Sequence, residues 1–305
     1  MSDRLDEMET FVRVVEAGSL TAAARRMGVA KSAVSRRLRD LETRLGVQLL
    51  RRTTRRITVT ASGQDYYRRC QRILADVEEA EAAVSDVHGR LSGTLRVAAP
   101  LSFGVAYLQP AVAEFQQQHP GLLFDLDLND RRVDLLAEGF DLGLRIAPLP
   151  LPDSTLVARL LATIPHVVSA SPDYLARRGM PTGPEAIPRH DCLVYSDTTD
   201  PDQWRCVDPE GREHRLRLQP RMRANNGDFL REMACAGHGL TLQPRFLVHD
   251  ALAAGRLRPV LKDCDWSGVG LFALYPQTRH LSARVRAFID FLADYFATPP
   301  WQPQA

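Results

Sequence analysis

Residues 18–63 read GSLTAAARRMGVAKSAVSRRLRDLETRLGVQLLRRTTRRITVTASG, and the order of signals in this stretch decides the fold around it. Ser19 is a good N-cap for a short alanine-rich helix, Leu20 to Met27, after which Gly28 lets the chain turn. A second helix begins near Lys31. Val34, Leu38, Leu41 and Leu45 recur at spacings of four, three and four and form its buried stripe. At about 100° per residue, Ser32, Arg36, Arg39 and Thr43 fall on the opposite face, with Ser35 at its edge. Gly46 ends the helix. Arg51, Arg52, Arg55 and Arg56 then flank Thr53 and Thr54, and Ile57 and Val59 alternate with Thr58 and Thr60 as in a short strand. Two strands around a basic tip make a wing. An arginine-bearing helix face after a glycine turn suits a recognition helix, because arginine pairs bidentately with guanine and serine contacts bases or phosphate. Wing arginines hold phosphate and set register without reading sequence.

Upstream, Leu5, Met8, Phe11, Val12 and Val15 predict an amphipathic helix over 3–17, ended by Gly18. The charge agrees with a nucleic-acid head. The net charge of the 305 residues is only +2, yet residues 1–62 hold thirteen Lys/Arg against seven Asp/Glu, which leaves the remainder at −4. A basic head on a mildly acidic body is the electrostatic footprint of a DNA-binding domain on a carrier.

The run from Phe11 through Gly63 resembles the head of the LysR-type transcriptional regulators, nearly without gaps. Ala23, Ala24, Ser35, Arg36, Leu41, Glu42, Leu45, Gly46, Leu49, Arg52, Thr53 and Thr60 fall where that family has them. The resemblance implies that Lys31, Ser32, Ser35 and Arg36 approach the bases and that Arg52 and Arg55 approach phosphate. With Arg39 from the helix face and Thr53 from the wing, these are the expected DNA-binding residues. Ala30 stands where the family often has a serine N-cap, so Ser32 is expected to cap the helix instead. A winged helix-turn-helix over 1–62 follows.

From Thr60 to His88 there is no proline and one early glycine. Tyr66, Cys70, Ile73, Val77, Ala80, Val84 and Val87 keep a heptad seam through this stretch. The resemblance implies that this linker helix, 63–90, pairs two subunits. Two heads on half-sites about 34 Å apart gain effective concentration that one small head lacks.

Beyond Gly93 strands and helices alternate. Thr94–Ala98, Leu122–Leu128 and Asp141–Ile146 read as strands, with helices at Leu108–Gln118 and Arg132–Glu138, which implies a parallel sheet. Val167–Ser169, Cys192–Tyr195 and Leu216–Arg221 are strands of a second lobe, with helices at Phe229–Ala236 and Pro244–Ala254. Leu271–Tyr275 and Ala283–Phe296 return to the first. The order resembles the type 2 periplasmic-binding-protein fold, with lobe I at 91–162 and 268–297 and lobe II at 163–267. The fold class is thus an α+β multidomain chain: a winged head, a linker helix, and a two-lobed α/β effector-binding domain over 91–301. The final PPWQPQA is expected to be unstructured.

Open parallel sheets bind ligands beyond the carboxyl ends of their strands. That selects Ser102 and Phe103 after the first strand, Arg145 and Ala147 at the third, Ser196, Asn225 and Asn226, and Thr241. Arg145 with a helix N-terminus suits a small carboxylate. No GxSxG, HExxH, P-loop or GxGxxG occurs, so catalytic residues and a cofactor are not expected. Cys70, Cys192, Cys206, Cys235 and Cys264 are odd in number and never spaced as CxxC, which argues against a disulfide framework or a metal site and for a reducing cytoplasm. No apolar run reaches the roughly 18–20 residues of a membrane span, and the N-terminus lacks a secretory pattern. The expected partners are double-stranded operator DNA, a small-molecule effector, a second copy through the linker helix, a tetramer of two such dimers, and RNA polymerase. A constitutive architectural DNA-binding dimer and an enzyme fused to a DNA-binding head are the alternatives.

Overall fold

The computed structural model describes residues 3–52, 57–85, 91–151, 156–277 and 281–302. Asp3 accepts from Leu5 N and caps α1 (Arg4–Ala17); Ser19 accepts from Ala22 N and caps α2 (Leu20–Arg26). Helix α3 (Lys31–Leu45) starts at Ala30 without a side-chain cap, so Ser32 does not take that role. It stops at Gly46, whose φ of 67° is cheap only for glycine. Val34, Leu38 and Leu41 are buried against Phe11 and Val14 of α1 and Ala23 and Ala24 of α2. Leu45, expected in that stripe, is 37% exposed at the last residue of the helix.

Strands β1 (Leu50–Arg52) and β2 (Ile57–Val59) pair antiparallel. Helix α4 (Ala61–Ser85) follows. The start of its seam does not face outward. Tyr66 packs on the head core and Cys70 is buried, whereas Ile73 is 40% exposed. Val84 and Val87 lie outside the residues whose side chains are described.

The remainder builds two five-stranded sheets. The first has the order β4-β3-β5-β14-β6, from β3 (Ser92–Ala99), β4 (Gly121–Leu128), β5 (Leu142–Pro148), β6 (Leu156–Ile164) and β14 (Val269–Pro276). The β3, β4 and β5 strands run parallel, and β14 runs antiparallel to β5 and β6. Between β3 and β4 lie α5 (Leu101–Phe103), a π-turn over Gly104–Leu108, and α6 (Gln109–Gln118). The expected helix at Arg132–Glu138 is only α7 (Leu135–Glu138), capped by Asp134. The second sheet has the order β11-β8-β12-β7-β13, from β7 (His166–Ala170), β8 (Cys192–Tyr195), β11 (Pro220–Ala224), β12 (Leu240–Pro244) and β13 (Arg258–Pro259). Strands β9 (Gln203–Val207) and β10 (Glu213–Arg217) form a hairpin beside it, so the single strand expected at Leu216–Arg221 is the meeting of two. Helices α8 (Pro172–Arg178), α9 (Gly227–Cys235) and α10 (Arg245–Ala253) complete this part, and α11 (Ala283–Tyr295) packs on the first sheet. The chain passes between the sheets at Pro165 and returns between Pro259 and Val269.

The C-terminal segment overturns its expectation. Trp301 is fully buried among Phe103, Tyr107, Phe246 and Phe296, with ring centroids 4.9–6.2 Å from its own. Arg245 Nε donates to Trp301 O at 2.8 Å, and Tyr107 Oη donates to Phe246 O at 3.0 Å. An indole this large has more to gain from burial than the ordering of a short proline-bounded tail costs. Since Phe246 lies on α10, the cluster also ties the second unit to the first.

Candidate functional site

The head presents one face of α3. Lys31, Ser32, Arg36 and Arg39 are exposed and Ser35 is half-buried. Among the described residues Lys31 and Arg36 have no ion pair, and Arg39 Nε makes only a long bond to Ser35 O at 3.4 Å. Arg37 and Arg44, on another edge, are tied to α1. The exposed face thus holds cations whose charge is unspent.

The wing is held from α3. Glu42 Oε1 accepts from Leu49 N and Leu50 N at 2.9 and 3.0 Å. Thr60 Oγ1 donates to Gln48 O at 2.8 Å and accepts from Gly63 N at 3.0 Å, which joins wing to linker helix. A Cβ on Gly63 would stand 2.1 Å from Leu49 O, so only glycine fits this crossing. Arg52 pairs with Ile57 at the end of β1; its side chain, and Thr53 and Arg55 at the tip, lie outside the described residues.

The second candidate site lies where strand ends of both sheets approach. Ser102 Oγ, in the first turn after β3, donates to the Asp228 carboxylate on α9. Leu101 N donates to Asp130 Oδ1 at 3.2 Å, just past β4. Burial, then Asp228 and Asp197, push the Asp130 carboxyl up. Tyr195, at the end of β8, is pushed up to about 12 by burial and then by Asp130 and Asp197. Arg145 is half-buried and its side chain has no hydrogen bond or ion pair among the described residues, so it does not pair with Asp141. Burial, and then Arg132, push its guanidinium down. Asn226 Oδ1 accepts from Phe229 N at 2.8 Å and caps α9; Ser196 and Asn225 are exposed beside it.

Three expected effector residues are core residues. The Phe103 ring has no exposed surface and sits in the aromatic cluster. Ala147 pairs with Gly270 and packs with Ala98, Leu135 and Phe272. Thr241 is fully buried opposite Ser169 and accepts from Gln243 Nε2 at 3.1 Å. Strand and helix geometry turns these side chains inward although their backbone lies near the sheet ends. Asp130, Tyr195 and Asp228 were missed by sequence reasoning. Asp130 and Tyr195 do satisfy the strand-end rule, following β4 and ending β8; Asp228 carries no such mark. Among the described residues no group of three or more His, Cys, Asp or Glu is placed to hold a metal ion.

Comparison with known proteins places the two halves of the chain in one family. Residues 5–64 match the family model described as bacterial regulatory helix-turn-helix protein, lysR family, and residues 88–297 match the LysR substrate binding domain. This chain belongs to the LysR family of transcriptional regulators. Among its LysR relatives, CrgA of Neisseria meningitidis serogroup C is 34% identical over 96% of this chain and 97% of that protein. An uncharacterized HTH-type transcriptional regulator of Haemophilus influenzae is 34% identical over 93% and 97%. The solved structure of CrgA superposes with a TM-score of 0.61 at 33% identity, covering 97% of this chain and all of that one. The full-length Vibrio cholerae virulence activator AphB gives 0.60 at 27%, covering 96% and 100%. The LysR chain described here is therefore a DNA-binding regulator with an effector-binding domain, not an enzyme, and like its family it oligomerises.

Proposed function

We propose that this LysR regulator reads its operator through Lys31, Ser32, Ser35, Arg36 and Arg39 and grips phosphate through Arg52, Thr53 and Arg55. What supports this is the sorting of charge on α3: Lys31 and Arg36 are exposed and unpaired among the described residues, while Arg37 and Arg44 are already neutralised. Residues 1–62 act as head, 63–90 as the helix that joins two copies, and 91–301 as sensor. Two dimers assemble into a tetramer and act in the cytoplasm, where the operator is. The effector is a small organic acid. Its carboxylate meets Arg145, a half-buried cation without a partner among the described residues, and Ser102, Ser196, Asn225 and Asn226 line the approach. Asp130, Asp197 and Asp228 across the rim favour an acid that also carries a hydrogen-bond donor. Effector shifts the lobes, the heads rearrange on DNA, and RNA polymerase gains or loses access. Such a shift is limited to the ligand's differential affinity for the two states, typically about 1–3 kcal/mol.

Titrating duplex DNA at rising salt tests the first half: affinity should fall steeply with salt, and a salt-insensitive or absent interaction ends the reading. A thermal-shift screen of mono- and dicarboxylates on the full chain tests the second. At least one acid should raise the melting temperature of wild type but not of Arg145→Ala. If no acid does, the carboxylate assignment fails while the DNA assignment stands.

A further inference from the structure

Two arginines of α3 are turned toward α1. Arg37 Nη2 donates to Asp6 Oδ2 at 3.1 Å and Arg37 Nη1 to Thr10 Oγ1 at 3.4 Å. One heptad later, Arg44 donates through Nε and Nη2 to Glu7 Oε2 at 3.0 and 2.7 Å. Residues seven apart return to almost the same edge of a helix, so one edge of α3 is bolted to α1 at two levels.

The two bolts differ. The Asp6 side chain is 47% exposed, and water can replace its partner. The Glu7 side chain is 6% exposed, so little water can replace Arg44 as its partner. Arg44 also has a neighbour on the linker helix. Tyr66 sets its ring tilted 5.6 Å from that of Phe11, and its hydroxyl is buried without a hydrogen bond of normal geometry among the described residues. Glu7 first, and Tyr66 with it, hold the Arg44 guanidinium more firmly charged. Arg44 therefore stands where α1, α3 and α4 meet.

We propose that Glu7 and Arg44 are positioning residues for operator recognition: their pair, buried on the Glu7 side and one-third exposed at Arg44, sets the angle of the recognition helix against the linker helix, and so the distance between the two recognition helices of a dimer. Neither touches DNA. The pair works through Arg36 and the other exposed residues of α3 by holding them in place. A dimer with a rigid joint accepts one half-site separation, and a dimer with a loose joint accepts several at lower contrast. This rests on the dimer of the proposed function.

The test uses the full-length protein and duplexes built from the half-site that wild type recovers from a random pool. Duplexes carry a single half-site, or two copies at the selected separation and at one, two and three base pairs more or less. The Glu7→Gln/Arg44→Met double variant removes both charges, so no buried ion is left alone; Arg44→Lys keeps the charge but loses the two-pronged bond. Wild type should prefer its selected separation about tenfold, as expected when two linked heads bind together. The double variant should stay folded by thermal melting, keep the wild-type assembly by sedimentation, and bind the single half-site within about twofold of wild type. Its contrast between separations should fall about fivefold, with Arg44→Lys in between. Unchanged contrast in a folded variant overturns the proposal, as does an equal loss on the single half-site, which would make the pair a DNA contact or a purely structural brace. If the double variant melts too early to assay, Arg44→Lys alone decides by the same criteria. A monomeric wild type removes the dimer itself and the proposal with it, an outcome that sedimentation separates from a tight dimer with unchanged contrast.

Discussion

The head and the effector-binding body solve the same problem, presenting polar groups to a ligand, in opposite ways. In the head the presenting residues are contiguous: Lys31, Ser32, Ser35, Arg36 and Arg39 lie within nine positions of one helix, and its other faces anchor it. In the body the groups come from far apart, with Ser102 meeting Asp228 across 126 positions and Asp130 meeting Leu101 across 29. A surface helix needs only its own periodicity to make a site. A cleft between two sheets exists only when the sheets are held together. The aromatic cluster around Trp301 contributes to that holding here, whereas the head has the single ring pair Phe11–Tyr66 among the described residues.

The largest effect that would sharpen this contrast is Trp301→Ala. Truncating a fully buried tryptophan typically costs about 3–5 kcal/mol. We expect a loss of that size for the body in urea unfolding followed by a probe of residues 91–302, with head binding to DNA nearly unchanged. A loss under about 1 kcal/mol would show that the tail is an ornament to the body rather than part of its core. Next comes Arg36→Ala, which should cost roughly 1–3 kcal/mol of operator affinity and relax specificity at one base pair in a gel-shift series. Equal affinity would remove Arg36 from the reading set. Arg52→Ala should be smaller and of another kind: all duplexes weaken alike, and the slope of log affinity against log salt drops by about one unit. A loss limited to one sequence would make it a base reader instead.

The smallest effect concerns pH. The folded structure raises the Asp130 carboxyl above its ordinary 3.8, by burial first and then by Asp228 and Asp197. An acid raised on folding resists ionisation, so the fold loses stability as pH climbs from that ordinary value through the raised one, and the penalty is complete above it. Asp130→Asn can still accept from Leu101 N. Its urea midpoint should gain on wild type between pH 4 and neutrality, by little, because the site is partly exposed. A midpoint difference that is flat with pH would separate Asp130 from its acidic neighbours.

Legibility followed the same divide. Ser19, Gly28, Gly46 and the Val34–Leu38–Leu41 stripe each act within one or two helical turns, so they could be read in order along the chain. The heptad seam was legible as a pattern, but not that Tyr66 and Cys70 would spend its first turns on the head core. In the body, periodicity found the strands it could frame between turns and missed β6, whose partner β14 is remote, and the β9 half of the β9–β10 hairpin. The strand-end rule named residues along one rim but could not say which side chains face it: Phe103, Ala147 and Thr241 turn inward, while Asp130, Tyr195 and Asp228 interact with one another.

Amino-acid order alone determined that a basic winged head precedes a long helix and an alternating α/β body, because caps, turns and apolar spacing are local. It determined equally the family to which the chain belongs, since the head motif is dense over a short span. Tertiary structure decided which arginines of α3 are free, through Asp6 and Glu7 on a different helix, and placed an apparently idle Trp301 at the centre of a core. Both outcomes depend on pairings between distant residues. The energy of a buried ion pair or a packed ring belongs to the partners that surround it, and position in sequence does not reveal them.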